Sequence, residues 1–209
     1  SIKKVKELKK YAFAFKLGYE FFYNFGKEGY NLVKNENVKI FLDLKLYDIP
    51  NTIKKAVEAL SKLEPYFLTI HISGGDDMLK VANLSKRNTK ILGVSILTSI
   101  KSDTAKKFYF NSDIKNIVSN FSTYAVENNL DGIICSPNEI QQIKKITKNK
   151  LLIITPGIRP LGFKVPNDDQ VRTMTPKEAI KIGADFLVIG RPITQSSNPL
   201  QTLKAINLS

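Results

Sequence analysis

Residues 41–52 read FLDLKLYDIPNT. The run from Phe41 to Leu46 is short and apolar like a buried strand, yet Asp43 and Lys45 stand inside it and Asp48 follows just beyond. An unpaired ion in a protein interior costs several kcal/mol or neutralises itself. Three ionisable groups within six residues therefore put this strand end at a surface edge or in an active site. Directly afterwards, NTIKKAVEALSKL (51–63) is apolar at helical spacing. A strand thus runs straight into a helix.

The same unit recurs outward in both directions. Strand patterns occur at YAFAFKL (11–17), KIFLDLK (39–45), FLTIHI (67–72), KILGVSIL (90–97), GIICS (132–136), LLIITPG (151–157) and FLVIGR (186–191). Amphipathic stretches lie between them, such as DIKNIVSNFSTYAVENN (113–129) and TPKEAIKIGA (175–184). In the latter, Thr175 suits an N-cap, Pro176 suits the first helical position and Glu178 completes a capping box. Strands alternating with helices imply a parallel sheet, because parallel neighbours need crossovers. No repeat or low-complexity linker interrupts the series, so one domain is expected over residues 1–209.

Seven strands are counted, and the chain opens on a helical stretch, IKKVKELKK (2–10). A (β/α)8 barrel has eight strands and begins with one. Two architectures fit: a barrel whose first strand lies ahead of residue 1, or an open doubly wound sheet.

Bulk properties narrow the function classes. No apolar run approaches the ~18 residues of a membrane span, and the N-terminus lacks the apolar centre of a signal peptide. A single cysteine, Cys135, excludes an internal disulfide framework and fits a reducing compartment. A soluble cytoplasmic protein without membrane association is expected. The formal net charge of +13 raises the question of nucleic acid. The lysines are scattered, however, and the bidentate residue is scarce, only Arg87, Arg159, Arg172 and Arg191. General lysine enrichment explains the charge better than a nucleic-acid surface.

Side chains on a strand alternate between faces. Phe41, Asp43 and Lys45 therefore share one face, and Ala12, Ala14 and Lys16 share one on the preceding strand. Two neighbouring strands can send charge to the same side near their C-terminal ends, where barrel active sites lie. Lys16, Asp43, Lys45 and Asp48 would form an alternating array in which each charge has an opposite neighbour. Towards the C-terminus, TPGIRP (155–160) and IGRPI (189–193) are strand ends with Gly followed by Arg. In many barrels the loops after strands 7 and 8 bind a phosphate. A charged array on one side and a phosphate on the other describe a site for a phosphorylated small molecule.

These residues resemble the orotidine 5′-phosphate decarboxylase family. DLKLYDIPNT (43–52) fills every position of its Asp-x-Lys-x-x-Asp-Ile-x-Asn-Thr signature, and FKLG (15–18), HISGG (71–75), LTS (97–99), TPGIRP (155–160) and VIGRPIT (188–194) follow its other blocks in order. The resemblance runs from about residue 11 to the C-terminus. It implies a (β/α)8 TIM barrel that converts orotidine 5′-phosphate to UMP, the last step of UMP synthesis, without cofactor or metal. By the same resemblance, Lys45 would protonate C6 of the pyrimidine as carbon dioxide leaves, with Asp43 beside the substrate carboxylate and Lys16 on the ribose hydroxyls. Asp48 and Thr52 would reach into the partner's site, so a homodimer is implied. Thr98 would contact the pyrimidine, Arg159 and Gln170 would close over the phosphate end, and Gly190 with Arg191 would clamp the phosphate.

The family opens with a strand ending in a ribose-binding Asp, which has no counterpart here. A barrel without it would leave two unpaired edges, so that first strand is expected ahead of residue 1. PLGFKVPNDD (160–169) reads as a lid over the phosphate. His71 is expected as a hydrogen-bonded barrel residue, and Cys135, behind two isoleucines, as a buried inert thiol. The chief alternatives are a barrel that binds the nucleotide without turning it over, and a metal-using sugar-phosphate enzyme of the same superfamily. The complete DIPNT ending argues against the latter.

Overall fold

The computed structural model describes residues 2–109, 112–161 and 172–208. Strands β1 (Ala14–Leu17), β2 (Lys39–Leu46), β3 (Phe67–His71), β4 (Lys90–Val94), β5 (Gly132–Ile134), β6 (Leu152–Thr155) and β7 (Phe186–Leu187) lie side by side in chain order, each parallel to the next. A doubly wound sheet reverses its strand order at a switch point. The unbroken order here excludes that architecture.

The sheet curls on itself. Phe41, Phe67, Leu92 and Ile154 gather with Ile134, Phe186 and Val188 in one cluster, which draws from β2 to β7 or their immediate ends. Side chains of six consecutive strands meet only inside a barrel-like wall. Phe13, just ahead of β1, touches Phe186 with ring centroids 4.7 Å apart, so the first and last strands approach each other. Among the described residues no ladder joins them, and a seam remains where an eighth strand would fit.

Outward-facing strand residues such as Leu42, Leu68, Ile91, Ile133 and Ile153 bury against the helical layer, through Ile53 and Val57 of α3 (Pro50–Ser61), Met78 and Leu79 of α4 (Asp76–Ser85), Ile117 of α6 (Ile114–Glu127) and Ile143 of α7 (Ile140–Thr147). Each such side chain contributes about 1.5–3 kcal/mol. The remaining helices are α1 (Ile2–Leu8), α2 (Tyr19–Lys34), α5 (Ser102–Phe108), α8 (Pro176–Lys181), α9 (Arg191–Thr194) and α10 (Pro199–Asn207). Across the seam, Leu8, Ile193 and Leu203 cluster, and Asn207 donates to the Tyr11 carbonyl at 2.9 Å.

The expected capping box of α8 is present, with the Glu178 N–H on Thr175 Oγ1 and the Thr175 N–H on Glu178 Oε2. Several strands are shorter than their apolar patterns. Tyr11 and Ala12 donate to the Leu8 carbonyl, so they finish the turn of α1 and β1 starts only at Ala14. The last pattern, 186–191, stays extended for two residues and then enters α9.

Candidate active site

The β2–β3 ladder breaks where the charges are. Phe41 pairs with Phe67 and Leu42 with Leu68, but the next partners are Leu46 and Ile70. Asp43, Leu44 and Lys45 thus bulge opposite one residue, Thr69. Lys45 takes a φ of 38°, the left-handed region that a lysine enters only at a cost. Such bulges re-aim side chains. Here the bulge brings the Lys45 ammonium back onto Asp43 of its own strand.

Asp43 holds two cations. Lys45 Nζ donates to its Oδ1 at 2.8 Å, and Lys16 Nζ, on β1, lies 3.0 Å from its Oδ2. Thr69 Oγ1 also donates to Oδ1 at 3.0 Å. Asp43 is 7% exposed. Burial pushes its pKa up, but the Lys16 and Lys45 ammoniums outweigh that and hold it below the usual carboxylate range. Asp43 therefore stays ionised to lower pH than an ordinary carboxylate does.

Lys16, Asp43 and Lys45 line one side of a 370 Å³ cavity at the C-terminal ends of the strands. Gly157, Arg159, Gly190 and Arg191 line it from the loops after β6 and β7, and Thr98 from the loop after β4. The two features expected from the sequence, charged array and Gly–Arg strand ends, share one hollow. A Cβ placed on Gly190 would meet nothing within 4 Å, so the space against that backbone is open. The loop after β6 is held by backbone bonds from Arg159 N–H to the Met174 carbonyl (2.9 Å) and from Met174 N–H to the Gly157 carbonyl (3.2 Å).

Other expected residues lie elsewhere. Asp48 and Thr52 are exposed and outside the cavity, and Asp48 Oδ1 accepts the Ile49 N–H at 2.7 Å. Within one chain the array therefore has three members rather than four. Gln170 and most of the expected lid lie outside the described residues. His71 is half-buried and, among the described residues, meets no side-chain hydrogen-bond partner but sets its ring edge-on to Tyr47, centroids 5.7 Å apart. Burial first, and Lys45 second, push its pKa down. Cys135 is fully buried, and burial pushes its thiol up, as befits an inert side chain. Among the described residues no three His, Cys, Asp or Glu side chains stand together as a metal site would require.

Two contributors escaped the sequence reading. Thr69 was the one polar residue in an otherwise apolar strand apart from the terminal histidine, which was its only signal. The other is a buried pair: Arg172 bonds the Glu139 carboxylate and reaches the Leu97 carbonyl at 3.4 Å. Glu139 also accepts the Ser136 N–H at 3.0 Å. The pair ties the loops after β4, β5 and β6 together.

Comparison with known proteins gives a consistent result. The model of the orotidine 5′-phosphate decarboxylase / HUMPS family matches residues 1–206. Orotidine 5′-phosphate decarboxylase of Wolbachia pipientis subsp. Culex pipiens is 45% identical over 193 residues, covering 91% of this chain and 84% of that protein. The crystal structure of orotidine 5′-phosphate decarboxylase from Lactobacillus acidophilus superposes with a TM-score of 0.80 at 35% identity, covering 92% of this chain and 84% of the other. That of orotidine 5′-monophosphate decarboxylase from Methanocaldococcus jannaschii, complexed with inhibitor BMP, superposes with a TM-score of 0.78 at 25% identity, covering 99% and 91%.

Proposed function

The chain belongs to the orotidine 5′-phosphate decarboxylase / HUMPS family, and from that premise we propose that it decarboxylates orotidine 5′-phosphate to UMP, with Lys45 as the proton donor. The observation that carries this reading is the joining of Lys16, Asp43 and Lys45 with Arg159, Gly190 and Arg191 around one cavity. The relatives' names favour a decarboxylase of this nucleotide over the sugar-phosphate branch of the family.

The chemistry follows from what the cavity offers. The bond from C6 to the carboxylate carbon breaks, carbon dioxide leaves, and the electron pair stays on C6. One N–H of the Lys45 ammonium passes its proton to that carbon, leaving a neutral amine that solvent reprotonates. No group of the pyrimidine delocalises the pair, so stabilisation must come from charge already in place when the carbanion develops. Lys45, anchored by its salt bridge and its bulged backbone, is such a charge. Asp43 beside the substrate carboxylate disfavours the ground state and holds both lysines, and Lys16 reaches the ribose hydroxyls. Thr98 contacts the ring. Arg159, Gln170, Gly190 and Arg191 bind the phosphate, whose remote binding energy positions the reacting carbon. Such a reaction draws on the upper part of the ~8–23 kcal/mol that enzymes remove from barriers.

The reading includes a homodimer in which Asp48 and Thr52 complete the partner's site. Their exposure outside the cavity of their own chain supports it, as do Tyr47 and Ile49 on either side of Asp48, 62% and 66% exposed.

Turnover followed by ultraviolet absorbance, for the wild-type chain and Lys45→Ala, tests the proposal. Loss of substrate that falls by at least about 10³-fold in the variant supports it, since electrostatic groups acting on a developing charge are individually worth about 10²–10³ and Lys45 also supplies the proton. UMP binding without turnover by the wild-type chain would leave a nucleotide-binding barrel.

A further inference from the structure

We propose that Thr69 is the positioning residue for the proton donor: its hydroxyl fixes both the backbone and the ammonium of Lys45. The inference rests on the role given to Lys45 above. The Lys45 N–H donates to Thr69 Oγ1 at 2.8 Å, where a regular ladder would supply a backbone carbonyl. The hydroxyl proton goes to Asp43 Oδ1 at 3.0 Å, and the same oxygen receives Lys45 Nζ at 2.8 Å. The direction of every bond is settled by chemistry, because an amide N–H can only donate and a carboxylate can only accept. A ring closes: Lys45 backbone, Thr69 hydroxyl, Asp43 carboxylate, Lys45 ammonium.

The ring explains the bulge. Three residues of β2 stand opposite Thr69 alone, and Lys45 holds a left-handed φ of 38°. A strained conformation persists only where its surroundings over-determine it. Thr69 is 0% exposed, so water has no access to replace its hydroxyl. A side chain of the same shape without the oxygen would leave the Lys45 N–H unsatisfied, take one bond from Asp43 and release the backbone towards regular pairing. The ammonium would then shift from the reacting carbon, while the loops after β6 and β7 would be untouched.

The test compares wild type, Thr69→Val and Thr69→Ser in steady-state turnover of orotidine 5′-phosphate, with kcat normalised to folded protein and UMP affinity measured alongside. The valine variant is expected to lose about 10²-fold in kcat, the scale of a 1 Å misplacement, with UMP affinity nearly unchanged. Serine should restore kcat. The acid limb of the kcat profile should move to higher pH in valine but not in serine, because Asp43 loses a hydrogen bond to its charged form. Unchanged kcat in the valine variant, or an equal loss in serine, would overturn the proposal; equal loss would mean that the methyl packing matters and the hydroxyl does not. If the valine variant does not fold, Thr69→Ala, which removes the hydroxyl with a smaller side chain, carries the same expectation. An inactive wild-type chain would sink the functional reading instead, and the two failures are told apart by that control.

Discussion

At Asp43, burial and charge pull in opposite directions, and charge wins because two ammoniums share one carboxylate. His71, on the neighbouring strand, shows the reverse case. Among the described residues it has no acidic partner in contact; burial and the Lys45 charge both disfavour its imidazolium, and Asp43 opposes them without reversing the direction. The sign of the resulting pH dependence is fixed. As pH falls through the usual ~6.5 of histidine, the unfolded chain binds a proton that the folded chain refuses until lower pH. Stability contributed by neutral His71 is therefore full above that value and declines as pH drops towards its lowered folded pKa. His71→Gln should flatten this decline: the difference between denaturation midpoints at pH 8 and pH 5 will be smaller than in wild type. An identical difference in both proteins would mean that His71 titrates in the fold as it does in solvent.

Elements were legible where periodicity was clean, and the exceptions have local physical causes. The helix after Asp48 was readable from its apolar spacing, and the capping box at Thr175 because the side chains that start that helix lie beside it in sequence. The bulge at Lys45 was not, since alternation assumes an unbroken pleat; Asp43 and Lys45 do reach the same cavity, but through a left-handed residue and a partner 24 positions away. The Arg172–Glu139 pair joins residues 33 positions apart, and nothing in either segment announces the other. Its consequence belongs to this scale, because it braces three loops. Burial raises the Glu139 pKa above its usual range, even with Arg172 beside it. Arg172→Leu should destabilise the fold by about 3 kcal/mol, the low end for breaking a buried pair, because Glu139 can neutralise itself by taking a proton. Adding Glu139→Gln to that variant should recover part of the loss. Urea midpoints of the three proteins decide it, and no recovery in the double variant would mean that the loss comes from the missing arginine bonds, such as that to Leu97, and not from the carboxyl left behind.

Over the whole molecule, alternating strands and helices announced a parallel sheet but left barrel and open sheet equally admissible, since strand order is a property of tertiary contacts. The inner cluster from β2 to β7 and the Phe13–Phe186 contact decide for the barrel. The same scale governs Asp48. Its carboxylate is outside the cavity of its own chain, so if it acts in catalysis it acts in another copy, and in a two-fold dimer each site would then combine Lys45 of one chain with Asp48 of the other. Lys45→Ala and Asp48→Ala should each be inactive alone. Mixed, dissociated and reassembled in equal amounts, half the dimers pair unlike chains. In each of these, the chain carrying Asp48→Ala keeps its own Lys45 and borrows an intact Asp48, while the other site has lost both. One site in four is whole, so the mixture should regain about a quarter of wild-type turnover. Were Asp48 to serve its own chain, every site in every pairing would lack one residue or the other, and the mixture would stay as inactive as its parts.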